Sequence, residues 1–230
     1  MKNFSEKFWD GPIYSPISLP YNGGKNGKGG GGMAGTVWAV FWEGALDEDI
    51  RSTLIGKLSP ADRARYETFP SGGRAGERGQ QYLLSRALLA FALEETLGTV
   101  PALAKTAAGQ PYFPEWPGLF LSLSHTEGAA LLALSDAPMG VDIERVRPIP
   151  PRLGRDFAGR EETFWRRWTA AEAAAKREGR GAGALLPLGR GGLPEVPGAR
   201  PLSLWPDCAA ALAGEGAFPV RTLTAEELAK

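Results

Sequence analysis

GVDIERVRP (140–148) and, after a spacer, FWRRWTAAEAAAKREGRG (164–181) decide how this chain is read. In the first piece Val141 and Ile143 alternate with Asp142 and Glu144, the pattern of a half-buried strand. Positions i and i+2 of a strand share a face, so both carboxylates point the same way. The second piece predicts a helix. Its alanines favour one, Gly179 suits the C-terminal end, and Trp168, Glu172 and Lys176 fall on a single ridge. If that helix crosses the strand end, three carboxylates converge beside one lysine. Hard oxygen ligands of this kind suit Mg²⁺, which binds a few carboxylates together with substrate phosphates. The plainer alternative is a solvated strand end and a surface Glu172–Lys176 pair worth a few tenths of a kcal/mol.

Composition narrows the classes. The chain has 230 residues, enough for a real core, with 43% hydrophobic and 23% charged residues. Lys+Arg and Asp+Glu both number 26, and this balance argues against a general nucleic-acid binder. One cysteine, Cys208, excludes an intrachain disulfide. With a single histidine, His125, it also argues against a zinc site. No apolar run approaches the roughly 20 residues of a membrane span, and the N-terminus lacks a continuous signal-peptide core. A cytoplasmic protein is the default reading.

Working outward toward the N-terminus, GGKNGKGGGG (23–32) has flexible-linker composition. It is not a Walker loop, because Lys28 is followed by Gly29 rather than Ser or Thr. Residues 1–32 are expected to be a flexible leader, with the folded domain starting near Met33. TVWAVFW (36–42) reads as a strand and 47–58 as a weakly helical or loop segment. Ser59 and Pro60 start a short helix. A Gly-rich turn at 71–76 should precede a long helix over about 80–97, closed by Gly98, with Leu84, Leu88 and Phe91 inward. Arg78 and Arg86, at or near its start, are solvated surface charges or phosphate contacts. LFLSLSHT (119–126) and AALLALS (129–135) read as strands, and a turn at Ala137-Pro138 leads into the acidic strand. His125 sits at a strand end between two hydroxyl residues, which suits an anionic ligand. RVRPIPPRLGRDF (145–157) reads as a connection and 181–200 as loop. CAAALAG (208–214) and PVRTLT (219–224) read as closing strands, and 225–230 as a polar tail. Trp165, Trp168 and Cys208 read as core residues.

These pieces, in this order, resemble the 4'-phosphopantetheinyl transferases, specifically the larger, monomeric type that activates carrier proteins of peptide and polyketide synthases. The matching residues are GQP (109–111), LSLSHT (121–126), GVDIE (140–144) and WTAAEAAAKREGRG (168–181). The resemblance implies an α+β fold of two similar α/β halves related by a pseudo-twofold, 33–139 and 140–230, with coenzyme A between them. It implies Mg²⁺-dependent transfer of phosphopantetheine from coenzyme A to a serine of an apo acyl or peptidyl carrier protein, releasing 3',5'-ADP. Asp142, Glu144 and Glu172 would hold the metal, with Glu172 also accepting the serine proton. Lys176, Ser124 and His125 would bind phosphates, Arg86 and Arg78 would assist, and Gly109, Gln110 and Pro111 would contact the adenine side.

Four positions depart from the family pattern. Gln110 and Ala171 replace lysines, Ser122 replaces asparagine, and Ala90 stands where a second arginine is common. Phosphate contacts would then be partly rebuilt from Arg74, Arg78 or other residues. Two classes of function stay open: an active transferase, and a degenerate relative that only binds coenzyme A or a carrier protein. A degenerate member should lose metal ligands first, and all three are present.

Overall fold

The computed structural model describes residues 35–105, 111–150, 157, 159–180, 193 and 195–230. The expected leader, Gly109, Gln110 and the Arg74 side chain lie outside the described residues. The chain is α+β. A first sheet has the order β4 (Phe120–Thr126), β5 (Ala129–Ser135), β1 (Thr36–Phe41) and β9 (Val220–Leu223). A second has the order β6 (Gly140–Arg145), β8 (Cys208–Ala213) and β7 (Ala199–Pro201). β2 (Ala104–Lys105) and β3 (Pro111–Tyr112) form a small ribbon.

Strand alternation sorts the side chains into layers. Trp38 and Val40 of β1, with Ala130, Leu132 and Leu134 of β5, share one core with three helices. These are α1 (Glu48–Lys57), α3 (Gly73–Leu97) and α5 (Ala225–Ala229). Val37, Ala39, Leu131 and Ala133, one position out of phase, pack instead on Val141, Ile143, Ala210 and Leu212 of the second sheet. β5 is therefore buried on both faces. Turning Val141 and Ile143 toward the first sheet turns Asp142 and Glu144 the other way. There α4 (Glu161–Arg177) covers β6 and β8.

The helix ends follow the sequence. Asp47 caps α1 by accepting from the Asp49 N–H at 2.9 Å. Ser59 caps α2 (Pro60–Tyr66) by accepting from the Asp62 N–H at 3.1 Å. Gly98 closes α3 in the left-handed region, φ 69°.

Two expectations need correction. Of the turn expected at 71–76, only Ser71 and Gly72 stay outside the helix; α3 begins at Gly73, seven residues before the expected start near 80, entered through Gly72 at φ 90°. Its glycines cost helix propensity, but packing overrides this. A Cβ at Gly79 would stand 3.1 Å from the Phe69 Cβ, so the small residue lets the helix pass that ring. The supposed polar tail is α5. Thr224 and Glu227 form a capping box, and Leu228 is buried. Replacing Thr224 with alanine should lower the stability measured by urea denaturation by about 1 kcal/mol.

Candidate metal and active site

Two features hold α4 in place. A Schellman turn ends it: the Arg180 N–H donates to the Ala175 carbonyl at 2.7 Å and the Gly179 N–H to that of Lys176 at 3.1 Å, with Gly179 at φ 79°. Farther along, Phe164, Trp165, Trp168 and Phe157 form an aromatic cluster, centroids 5.0 to 6.5 Å apart. Both tryptophans are buried core residues, as expected. The indole of Trp165 also donates to the Arg147 carbonyl at 2.7 Å and lies under the Arg147 guanidinium.

Gly140 sets the helix height above β6. A Cβ there would lie 2.1 Å from the Ala173 carbonyl oxygen and 2.7 Å from the Arg177 nitrogen. The helix backbone therefore rests on bare strand backbone. Glu172, next to Ala173, and Lys176, whose Cβ is part of the contact, are carried down to the acidic strand.

Asp142, Glu144 and Glu172 come together there at 0%, 4% and 2% exposure. Each offers a carboxylate oxygen, and these oxygens lie within 4.8 Å of one another. The solvated alternative, a surface strand end with a surface Glu–Lys pair, is thereby excluded. Three carboxylates this close repel strongly in a poorly hydrated site. Lys176 Nζ lies 2.7 Å from Asp142 Oδ1 and donates to the Val141 carbonyl at 2.9 Å. Arg147 Nη2 lies 3.4 Å from Glu144 Oε2. These cations offset part of the charge. The donor set, all carboxylate oxygens from two separate segments, fits a hard divalent cation such as Mg²⁺.

β4 supplies the remaining wall. Its Ser122, Ser124 and Thr126 hydroxyls accept from the Val141, Ile143 and Arg145 N–H groups at 3.0, 3.3 and 3.2 Å. Ser124 Oγ also donates to Asp142 Oδ1 at 2.7 Å, and Thr126 Oγ1 lies 3.4 Å from Glu144 Oε2. His125 alternates to the opposite side and is half-buried.

The sequence-predicted residues thus divide. Asp142, Glu144, Glu172, Lys176 and Ser124 form one cluster. Arg86 sits elsewhere, its Nε 3.2 Å from Asp62 Oδ1 and its guanidinium over Tyr82. Tyr82 donates to the same carboxylate, and burial with that hydrogen bond pushes its phenol up to about 12. Arg78 is exposed on α3, and Pro111 opens β3. Arg147 was not expected at the site, and Thr126 only as a hydroxyl beside His125 suited to an anionic ligand. Their signals were local: Arg147 lies three positions after Glu144, and hydroxyls recur at 122, 124 and 126.

Cys208 is half-buried at the start of β8 rather than fully buried. Burial, with the Asp207 carboxylate beside it, pushes its thiol up to about 11. Thiolate at neutral pH is then on the order of 10⁻⁴ of the total. Iodoacetamide should label the folded protein far more slowly than the urea-unfolded protein at pH 7.5, with the gap narrowing as pH rises toward 11.

No helix among the described residues is long and apolar enough to cross a membrane. No family model matches the chain. Individual proteins do. It is 32% identical over 148 residues to the 4'-phosphopantetheinyl transferase AcpT of Escherichia coli K12, covering 55% of this chain and 72% of that protein. It is 25% identical over 170 residues to the 4'-phosphopantetheinyl transferase Sfp of Bacillus subtilis 168, covering 63% and 70%. Over 170 residues it is 27% identical to the 4'-phosphopantetheinyl transferase ffp of Bacillus subtilis, with the same coverage.

Proposed function

Because the chain belongs to the 4'-phosphopantetheinyl transferases, we propose that it moves the 4'-phosphopantetheine group of coenzyme A onto a serine of an apo acyl or peptidyl carrier protein. The observation that carries this reading is the buried triad, Asp142, Glu144 and Glu172, with oxygens within 4.8 Å. These three residues would hold Mg²⁺. When bound, the ion supplies charge neutralisation and alignment at the pyrophosphate oxygens.

The chain's own groups do the rest. The serine Oγ of the carrier bonds to the phosphorus next to the pantetheine arm, and the bond to the bridging oxygen of the pyrophosphate breaks. The leaving group is 3',5'-ADP, and the serine proton passes to Glu172. Lys176 Nζ, already at the carboxylates, offsets charge gathering on the phosphate oxygens. His125, on the side of β4 away from the acidic cluster, would meet a phosphate there, while Ser124 acts at Asp142. Arg78, exposed on α3, would assist with phosphate. A phosphate reaching Arg86 competes with Asp62 for its guanidinium. Gly109, Gln110 and Pro111 would contact the adenine side, with coenzyme A between two related halves of a monomer working in the cytoplasm.

The test is direct. The protein is incubated with coenzyme A, Mg²⁺ and a panel of apo carrier proteins, and each carrier's intact mass is followed. The expected result is a mass gain of one phosphopantetheine on the carrier serine, lost with EDTA and restored by Mg²⁺. Binding of coenzyme A without any mass gain across the panel would instead identify a degenerate binding protein.

A further inference from the structure

β4 and β6 belong to different sheets, yet they run side by side in fixed register. The three N–H groups of β6 that face β4 go to side-chain hydroxyls at a constant offset of 19 residues. Ser122, Ser124 and Thr126 thus do what the carbonyls of a neighbouring strand would do, and they close the edge of the second sheet. A hydroxyl that accepts still has one O–H to donate. Ser124 spends it on Asp142 Oδ1 at 2.7 Å. Ser122 makes the same ladder bond, to Val141, one residue before Asp142.

Asp142 is bracketed from both sides. From β4, Ser124 accepts the Ile143 N–H and donates to Oδ1. From α4, Lys176 donates to the Val141 carbonyl and to the same Oδ1 at 2.7 Å. Each partner thus grips the backbone beside Asp142 as well as its carboxylate. Two donors on one oxygen fix the rotation of the group, and both are anchored to the strand that carries it. Residues that orient a metal ligand in this way commonly matter about tenfold to a hundredfold in metal affinity.

We propose that Ser124 is a positioning residue, whose hydroxyl sets the orientation of Asp142 for a divalent cation through a side-chain ladder that pins β6 to β4. This rests on the metal-site reading above. It gives Ser124 work at the carboxylate rather than on a phosphate.

The experiment uses Mn²⁺, whose free form is counted by its paramagnetic resonance signal, titrated into the full chain without coenzyme A. Three variants are compared: Ser124→Ala, Ser122→Ala and Ser124→Thr. Ser124→Ala is expected to weaken Mn²⁺ binding about tenfold. Ser122→Ala, which removes an equivalent ladder bond, should lower the thermal midpoint similarly while leaving Mn²⁺ affinity near the unsubstituted value. Ser124→Thr keeps the hydroxyl, as the rung at 126 already does, and should restore binding. Equal weakening by Ser124→Ala and Ser122→Ala would overturn the proposal and leave a purely structural ladder. So would unchanged binding in Ser124→Ala. If the unsubstituted protein bound no Mn²⁺, the metal site itself would fall, which distinguishes the two failures.

Discussion

Replacing Glu172 with glutamine is expected to cut carrier modification by at least about 10³-fold while leaving the fold intact. The two shapes are nearly the same, so the aromatic cluster and the Gly140 contact survive. What is lost is charge. The site drops from three carboxylates to two, and Asp142 and Glu144 already have Lys176 and Arg147 beside them. On the proposed reading, attraction for a divalent cation falls with the third carboxylate, and the acceptor for the serine proton goes with it. General-base loss alone is typically about 10² to 10⁴ in rate. The thermal midpoint of Glu172→Gln should not fall, because removing one of three crowded like charges relieves repulsion. Intact-mass kinetics and a melting curve on one preparation check both halves. Cys208→Ala, distant in role, should modify carriers at the unsubstituted rate. Equal rates in both variants would remove Glu172 from the site.

The second large effect should come from a residue with no side chain. Gly140→Ala places a Cβ 2.1 Å from the Ala173 carbonyl oxygen and 2.8 Å from the Lys176 Cβ. The obstacle is helix backbone, which cannot swing away as a side chain can. Restoring ordinary contact, about 3.5 Å or more, lifts α4 off β6 by more than about an ångström. Overpacking of this kind costs about 1–3 kcal/mol. The motion also withdraws Glu172 and Lys176 from Asp142, and a displacement near 1 Å in such a site is worth about 10²-fold in rate. Gly56→Ala is the matching control. It lies in α1, is exposed, and has nothing within 4 Å of the added carbon. That change should stabilise the protein by about 0.5–1 kcal/mol and leave the rate alone. A Gly140→Ala protein with normal rate and stability would show that the close strand–helix approach is unimportant.

The core of the site was legible because each half of it is local. Alternation put Asp142 and Glu144 on one face, and helical spacing put Glu172 and Lys176 on one ridge. Their meeting was a conjecture until Gly140 showed how the two backbones touch. The ladder was hidden for a different reason. Ser122, Ser124 and Thr126 look like an ordinary polar alternation, and only the neighbouring edge of β6 gives them a partner. Arg147 was hidden inside a Pro-rich connection whose course no local rule supplies. At 71–76 glycine signalled a turn, but from Gly73 on tertiary packing favoured a helix. At 224–227 the opposite happened: a legible T-x-x-E start signal was passed over in a segment too short to suggest a helix.

The pairing of β9 with β1 has a consequence for how the molecule is made. Val37 aligns with Val220, across most of the chain, in parallel register. During synthesis β1 leaves the ribosome early and waits with one edge uncovered until the far end of the sequence emerges. Long-range parallel pairing is slow to form, so folding should close late and all at once rather than half by half. A fragment stopping after β8 would carry a permanently open hydrophobic edge. It should collect in the insoluble fraction even though every ligand of the acidic site is present in it.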